Sequence, residues 1–350
     1  MLKSPLTLRY TVLSIAVLLA ILAYTVYWFM LAGEIERGIN AWAEARRGEG
    51  MVVKYDALEV TGFPLRVQPQ ATNVHIAGPG PHPVWGWQSA RLTGNVLPYS
   101  LNHIVLSAPQ PQEISLQIND GAPETYMLAP QSAFASVALK QGMADRLDVD
   151  IRDATLRGGN IKTGALTFER AQLHLRAGED GAPQGLHNPA LFDVSMKLEN
   201  MDYPGFAGSA LGQHLSRMAA TASIEGAWPS EKGTAGVRQW RDAGGVAQIS
   251  AMELDWGPLK LNATGTLALD EKDRLIGSLT SKLAGYEGLI KGLQDAGQLK
   301  PDEAAAAKTG LGMIALASGS KNGELSLPMV LQDGEMFVGP LRIAKLKPLF

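Results

Sequence analysis

Residues 261–283 read LNATGTLALDEKDRLIGSLTSKL. Leu261, Ala263, Gly265, Leu267 and Leu269 take alternate positions, with Asn262, Thr264 and Thr266 between them. An extended strand turns successive side chains to opposite faces, so this pattern makes one dry face and one wet face. Residues 270–273 form a polar turn, after which Leu275, Gly277 and Leu279 resume the alternation. The segment therefore reads as an antiparallel hairpin whose register is set by its apolar side.

The same period recurs on both sides of this hairpin. Leu147, Val149 and Ile151 alternate with Asp148, Asp150 and Arg152, and Leu173 and Leu175 alternate with His174 and Arg176. Leu325, Leu327, Met329 and Leu331 alternate ahead of an Asp333-Gly334 turn and a returning strand over 336–343. Glycine- and proline-rich breaks at 78–83, 109–111, 121–123, 158–159 and 178–183 separate short strands, a spacing that argues for antiparallel sheet and against a parallel α/β fold. Residues 200–245 are less regular, with helices predicted near 211–220 and 235–242. Two further helices are predicted beyond residue 284. Tyr286, Leu289, Ile290 and Leu293 fall at i, i+3, i+4 and i+7, and Pro301, Asp302 and Glu303 give the next helix a proline start and an acidic first turn. Their one-sided apolar stripes should cover a sheet face. Strand glycines such as Gly265 and Gly277 fit a sheet that curves or lets a neighbouring backbone approach closely.

The N-terminus has a different character. Lys3 and Arg9 precede a run over residues 10–33 without a charged side chain. At about 1.5 Å per residue, roughly 20 such residues cross a hydrocarbon core of about 30 Å. The run exceeds the apolar stretch of a cleavable signal and lacks a clear small-x-small site, so a retained anchor is expected, with a cleaved export signal as the alternative. Basic residues lie only before the span, and Glu34 and Glu36 follow it, which predicts residues 1–9 in the cytoplasm and the remainder outside. Tyr24, Tyr27 and Trp28 fit an interfacial aromatic belt at the outer side. A juxtamembrane helix over 34–47, with Ile35, Ile39 and Trp42 on one stripe, spaces the domain from the membrane. The expected organisation is thus a tail and anchor over 1–33, a juxtamembrane helix over 34–50, and a β-rich domain over 51–350. That domain has two sub-regions, 51–200 and 245–350, joined by 200–245. The fold class is mainly β, a long curved antiparallel sheet of hairpins with a few covering helices.

Of the 350 residues, 46% are hydrophobic and 19% charged, enough apolar content to bury a substantial core. The chain has no cysteine, which removes disulfides, thiolate metal sites and cysteine nucleophiles. A net charge of −3 without a basic run argues against nucleic acid.

The order and spacing of several segments carry a resemblance. Trp42 in a helix after the anchor, the 55–60 strand running into Gly62-Phe63-Pro64, the 85–92 segment, and the closing pattern Leu-x-Leu-Pro, Asp-Gly, Gly-Pro-Leu-Arg over 325–342 resemble the bacterial family called domain of unknown function 2125. The resemblance implies a membrane-anchored, periplasm-facing, β-rich protein of the inner membrane, and it carries no assigned activity. The 265–283 hairpin is also similar to the repeated hairpin of AsmA-like envelope proteins, whose sheets curl into apolar grooves associated with lipid handling.

Catalytic signatures are weak. The six histidines, His75, His82, His103, His174, His187 and His214, never pair at i, i+4 and none lies in an H-E-x-x-H helix. Residues 318–321 match S-x-x-K, and 162–164 and 308–310 match K-T-G, but both K-T-G copies precede the serine, the reverse of the order in penicillin-interacting enzymes. Asp145, Asp148, Asp150 and Asp153 lack the glycine and terminal glutamate of a calcium loop and are interleaved with Arg146 and Arg152, which reads as a solvated strand face. No cofactor is implied. What remains is apolar surface: Trp85 and Trp87 share a strand face, and with Leu267 and Leu327 they are the candidate lining of a lipid groove. The chain is expected to be non-enzymatic and tethered to the inner membrane, with phospholipid or another amphiphile as its partner. The alternative is a structural or assembly factor whose sheet edges meet other envelope proteins. A hydrolase assembled from dispersed residues is the third reading.

Overall fold

A computed structural model describes residues 5–80, 83–117, 122–178, 190–231, 233–297, 299–317, 324–338 and 341–349. Its strands form one sheet of 17, paired antiparallel throughout. The chain is mainly β, as the alternation predicts.

Strands are added almost strictly in chain order. β1 (Val52–Lys54) and β2 (Ala57–Thr61) both pair with β3 (Gln68–Ala77), β1 at its end and β2 at its start. β4 (Trp85–Leu97) pairs with β3 on one side; on the other its two halves pair with β5 (Ser100–Ser107) and β6 (Gln112–Leu116). Both of these meet β7 (Glu124–Lys140). From there the ladder is a plain meander. β8 (Met143–Gly158), β9 (Ile161–Ala177), β10 (Ala190–Asp202), β11 (His214–Glu225), β12 (Val246–Trp256), β13 (Leu259–Leu269), β14 (Leu275–Ala284), β15 (Leu325–Gln332), β16 (Glu335–Val338) and β17 (Leu341–Lys345) each pair with the next. Register shifts interrupt several of these ladders, including β10–β11, β11–β12 and β12–β13, and such bulges bend a sheet.

One expectation is corrected. The segment predicted as helix near 211–220 is largely strand β11 (His214–Glu225), which from Leu215 on lies between β10 and β12. Ala219, Ala220 and Ala222 favour helix locally, but a strand vacancy between two partners outweighs propensities of a few tenths of a kcal/mol per residue. The only helix in 203–213 is a 3-10 turn at Pro204–Phe206. The expected anchor and juxtamembrane helix are both helical and run on as one element, α1 (Pro5–Gly48), because nothing between residues 33 and 38 breaks the backbone pattern. The predicted S-x-x-K at 318–321 lies outside the described residues, as do His82 and His187.

Three further helices are α2 (Gly233–Asp242), α3 (Tyr286–Asp295) and α4 (Pro301–Ala317). α3 and α4 cover one end of the sheet, where Tyr286, Ile290 and Ala304 pack on Leu325 and Leu327. Burying each large apolar side chain of this kind stabilises the fold by about 1.5–3 kcal/mol. A second cluster joins Ala263, Leu279, Met329 and Leu331 across β13 to β15, and a third joins Leu128, Ala154, Phe168, Met201 and Leu215 across β7 to β11.

The second half of α1 runs beside the β1–β3 edge. Trp28, Ala32 and Val67 form a buried cluster with Val60 and Ile35 near the start of β3, while Arg47 Nε donates to Val53 O (2.8 Å) near the end of β3. The helix thus follows β3 from one end of the sheet to the other. We call the end beside Trp28 the near end. By the antiparallel connectivity the β4–β5, β7–β8, β11–β12, β13–β14 and β15–β16 connections lie at the near end, and α3 and α4 at the far end.

Candidate functional site

At the near end, an apolar cleft of about 420 Å³ lies between α2 and the ends of strands β10 to β14. Its floor is a row of directly paired residues. Phe192 faces Ile224, Ile224 faces Ala247, and Ala247 faces Leu267. Directly opposed residues share a face, so the row forms one apolar band across four strands. Leu269 and Leu275, paired with each other across the β13–β14 turn, extend it.

The roof follows from helix period. Gly233, Gly236, Val237 and Trp240 fall at i, i+3, i+4 and i+7 of α2, and all four line the cleft. Trp228, 70% exposed, and Leu349, 56% exposed, flank it, and Glu231 is the one ionisable side chain in the lining. Exposed apolar patches rimmed by polar residues mark protein, membrane or ligand contacts.

Three anchors hold the roof down. Trp240 Nε1 donates to Glu225 O (2.9 Å) at the end of β11. Arg238 Nη2 and Arg241 Nη1 both reach Asp273 in the β13–β14 turn, at 2.7 and 2.5 Å, and the Asp273 side chain is only 8% exposed. Arg241 also donates to Asp270 O (3.3 Å). The turn is itself tied: Asp270 accepts from the backbone N–H of Lys272 and Arg274 and from Arg274 Nε. Burial pushes the Asp270 carboxyl up, but the Arg274 side chain and these backbone donors outweigh it and hold the pKa below the usual carboxylate range. Leu349 N–H donates to Asp273 O (2.9 Å), which brings the C-terminal segment against the same turn.

On the floor, two glycines permit close backbone approach. Gly277 (φ +142°) opposes Leu267, and a Cβ there would lie 2.2 Å from Thr266 O; Gly265 (φ +154°) opposes Leu279, and a Cβ would lie 2.3 Å from Ser278 O. Side chains larger than hydrogen do not fit at either position.

The four candidate groove residues are placed apart. Leu267 lines this cleft. Trp87 lines a second, smaller apolar cleft of about 290 Å³ with Ile76, Leu106 and Ile151, and its Nε1 donates to Gln112 Oε1 (2.8 Å). Trp85 lies at the far end of β4, against Gly78. Leu327, 6% exposed, is beneath α3 and α4. Sequence reasoning placed a helix over α2 but gave it no role. The signal was present in the spacing of Gly233, Gly236, Val237 and Trp240, which reads as an apolar stripe only if glycine is counted with the apolar side.

The opposite face of the sheet is polar and charged. Asp150 accepts from Arg170 Nε (2.7 Å) and Arg152 Nε (3.0 Å), and the Arg170 hydrogen bond chiefly holds its carboxyl below the usual range. Burial raises the Asp148 carboxyl, but hydrogen bonds from His174, Arg146 and Ser136 prevail and lower it. Among the described residues no three His, Asp or Glu side chains converge as a metal site.

No curated protein and no solved structure matches the chain, so the AsmA-like likeness rests on the hairpin pattern alone. The sequence profile of the family described as an uncharacterized protein conserved in bacteria (DUF2125) matches residues 28–347, and the chain belongs to that family.

Proposed function

We propose that this is a single-pass bacterial inner-membrane protein whose periplasmic sheet takes an acyl chain of a membrane lipid into the cleft under α2, without catalysing a reaction. The observation that carries the reading is the cleft itself, an apolar cavity of a size typical of ligand sites, lined almost without polar groups. Its position supports a membrane source. Among the described residues α1 carries the one helix stretch long and apolar enough to span a bilayer, and its second half runs along β3 with the near end toward the span. The cleft lies at that same end of the ladder. A floor of Ile, Leu, Phe and Ala offers dispersion contact and no hydrogen-bond partner, which suits a hydrocarbon tail rather than a polar metabolite. Orientation follows from Lys3 and Arg9 preceding the span.

The test is photo-crosslinking of the full chain in vesicles that contain a phospholipid with a diazirine near its acyl terminus. The reading predicts crosslinks on peptides from 224–240 and 267–275 as well as on the span. Crosslinks confined to the span and its immediate neighbours would overturn it and leave contact through sheet edges as the better account.

A further inference from the structure

The near end carries a second apolar feature, separate from the cleft. The loop Gly62-Phe63-Pro64-Leu65-Arg66 between β2 and β3 is clamped to α1: Tyr24 Oη donates to Pro64 O, Trp28 Nε1 donates to Arg66 O (3.1 Å), and the Phe63 ring packs on Trp28 (5.4 Å) and Phe29 (5.9 Å). The β4–β5 turn is held beside it, with Tyr27 Oη donating to Pro98 O (2.6 Å). Despite these clamps the tip is strongly exposed: Leu65 at 78%, Tyr99 at 82%, and Phe63, Leu97 and Leu101 each above two-fifths. Folding leaves these side chains uncovered by protein although the loops that carry them are fixed.

Their height explains this. The first charged residue after the span is Glu34. Tyr24 lies ten residues before it, about 15 Å along the helix axis, and Phe29 about 8 Å. A loop bonded at Tyr24, Tyr27 and Trp28 therefore lies alongside the last turns of the uncharged span, below the level where charge resumes. Arg66, exposed and without an ion pair among the described residues, sits at the upper rim of this tip, where a guanidinium can reach lipid phosphate while its stem lies along apolar surface.

We infer that the 63–65 loop and the β4–β5 turn are immersed in the outer leaflet of the bilayer, with Phe63, Leu65, Leu97, Tyr99 and Leu101 among lipid chains and glycerol groups. The inference rests on the anchoring reading above. Its consequence is a two-point attachment: the span fixes position, and the immersed tip fixes rotation, holding the near end against the membrane.

The absence of cysteine lets single reporters be placed in the full chain. Leu18→Cys, Leu65→Cys, Tyr99→Cys and Met313→Cys, each carrying an environment-sensitive fluorophore, are reconstituted in phosphatidylglycerol and phosphatidylethanolamine vesicles with either nitroxide-bearing lipid or aqueous iodide as quencher. Loss of emission with the lipid-borne quencher and protection from iodide are expected at positions 18, 65 and 99, with the reverse at Met313 on α4. Quenching by lipid at 18 but by iodide at 65 and 99 overturns the immersed tip and leaves the anchor standing. Protection from both quenchers at 65 and 99 overturns it in favour of a second protein copy covering the tip. Iodide quenching at 18 overturns the anchoring reading itself.

Discussion

Leu267 and Leu327 occupy the same alternation on neighbouring parts of one sheet, yet an aspartate at each should have opposite consequences. Leu327 is 6% exposed beneath Tyr286, Ile290 and Ala304. Replacing it removes about 2–3 kcal/mol of apolar burial and forces a carboxyl into a dry site where the opposed Ser281 hydroxyl already donates to Leu327 O, costing several kcal/mol more. The sum, on the order of 5–8 kcal/mol, approaches the whole stability of an ordinary domain, about 5–15 kcal/mol. Leu267 is only half-buried and lines a cleft open to water, so its carboxylate stays hydrated and the loss is confined to contacts with the Ala263 and Leu279 cluster, about 1–2 kcal/mol. For a chain of 350 residues 1 kcal/mol moves the melting midpoint by about 1.5 °C. Thermal unfolding followed by the β signal in circular dichroism should therefore show Leu267→Asp melting only a few degrees below the wild type, and Leu327→Asp with no cooperative transition. Equal loss of the transition in both variants would make the cleft floor ordinary core and refute the assignment. A cooperative, near-wild-type melt for Leu327→Asp would show that α3 and α4 do not cover the sheet.

Asp273→Ala removes the acceptor shared by Arg238 and Arg241, so α2 should loosen by about 2–4 kcal/mol, below the roughly 3–5 kcal/mol of a fully buried pair because Arg238 is half-exposed, and hydrogen exchange over 233–242 should accelerate while β7 to β9 are unchanged. Gly277→Ala places a methyl group against Thr266 O and strains a backbone few other residues adopt; destabilisation of at least about 2 kcal/mol in urea unfolding is expected, and a neutral result would contradict the close approach. Asp148 and Asp150 have carboxyls held below the usual range in the folded chain, so their contribution is full above the unfolded value near pH 4 and is lost as pH falls through the lower folded values. An Asp148→Asn, Asp150→Asn variant should thus be less stable at pH 7 and lose less stability than the wild type on acidification below about pH 4.

The sheet was legible because its ladders depend on a local pattern: the alternation from Leu261 to Leu269 and its partner from Leu275 to Leu279 are visible in the chain, and so is the apolar stripe of Tyr286 and Ile290. β11 was not, because Met218 to Ala222 contains helix-favouring alanines and its strand identity is imposed by β10 and β12, contacts no local pattern displays. The continuity of α1 was hidden by the change from apolar to charged composition at Glu34, which alters what surrounds a helix without breaking it. The cleft is the least legible feature. Its lining comes from the ends of five strands, a helix and the C-terminal segment, so only the folded registers bring Phe192, Ile224, Ala247 and Leu267 into one row. The clasp on Asp273 likewise joins residues more than 30 positions apart through a turn that looks like any polar hairpin end.

If the cleft holds one acyl chain of a membrane lipid, native mass spectrometry of the full chain released from its own membrane will detect it. The wild type should retain one lipid-sized adduct at activation energies that strip detergent, and Ala247→Trp, which fills the middle of the cleft floor, should lose that adduct while its circular dichroism stays unchanged. An adduct-free wild type, or equal retention by the folded Ala247→Trp variant, would show that no acyl chain occupies the cleft.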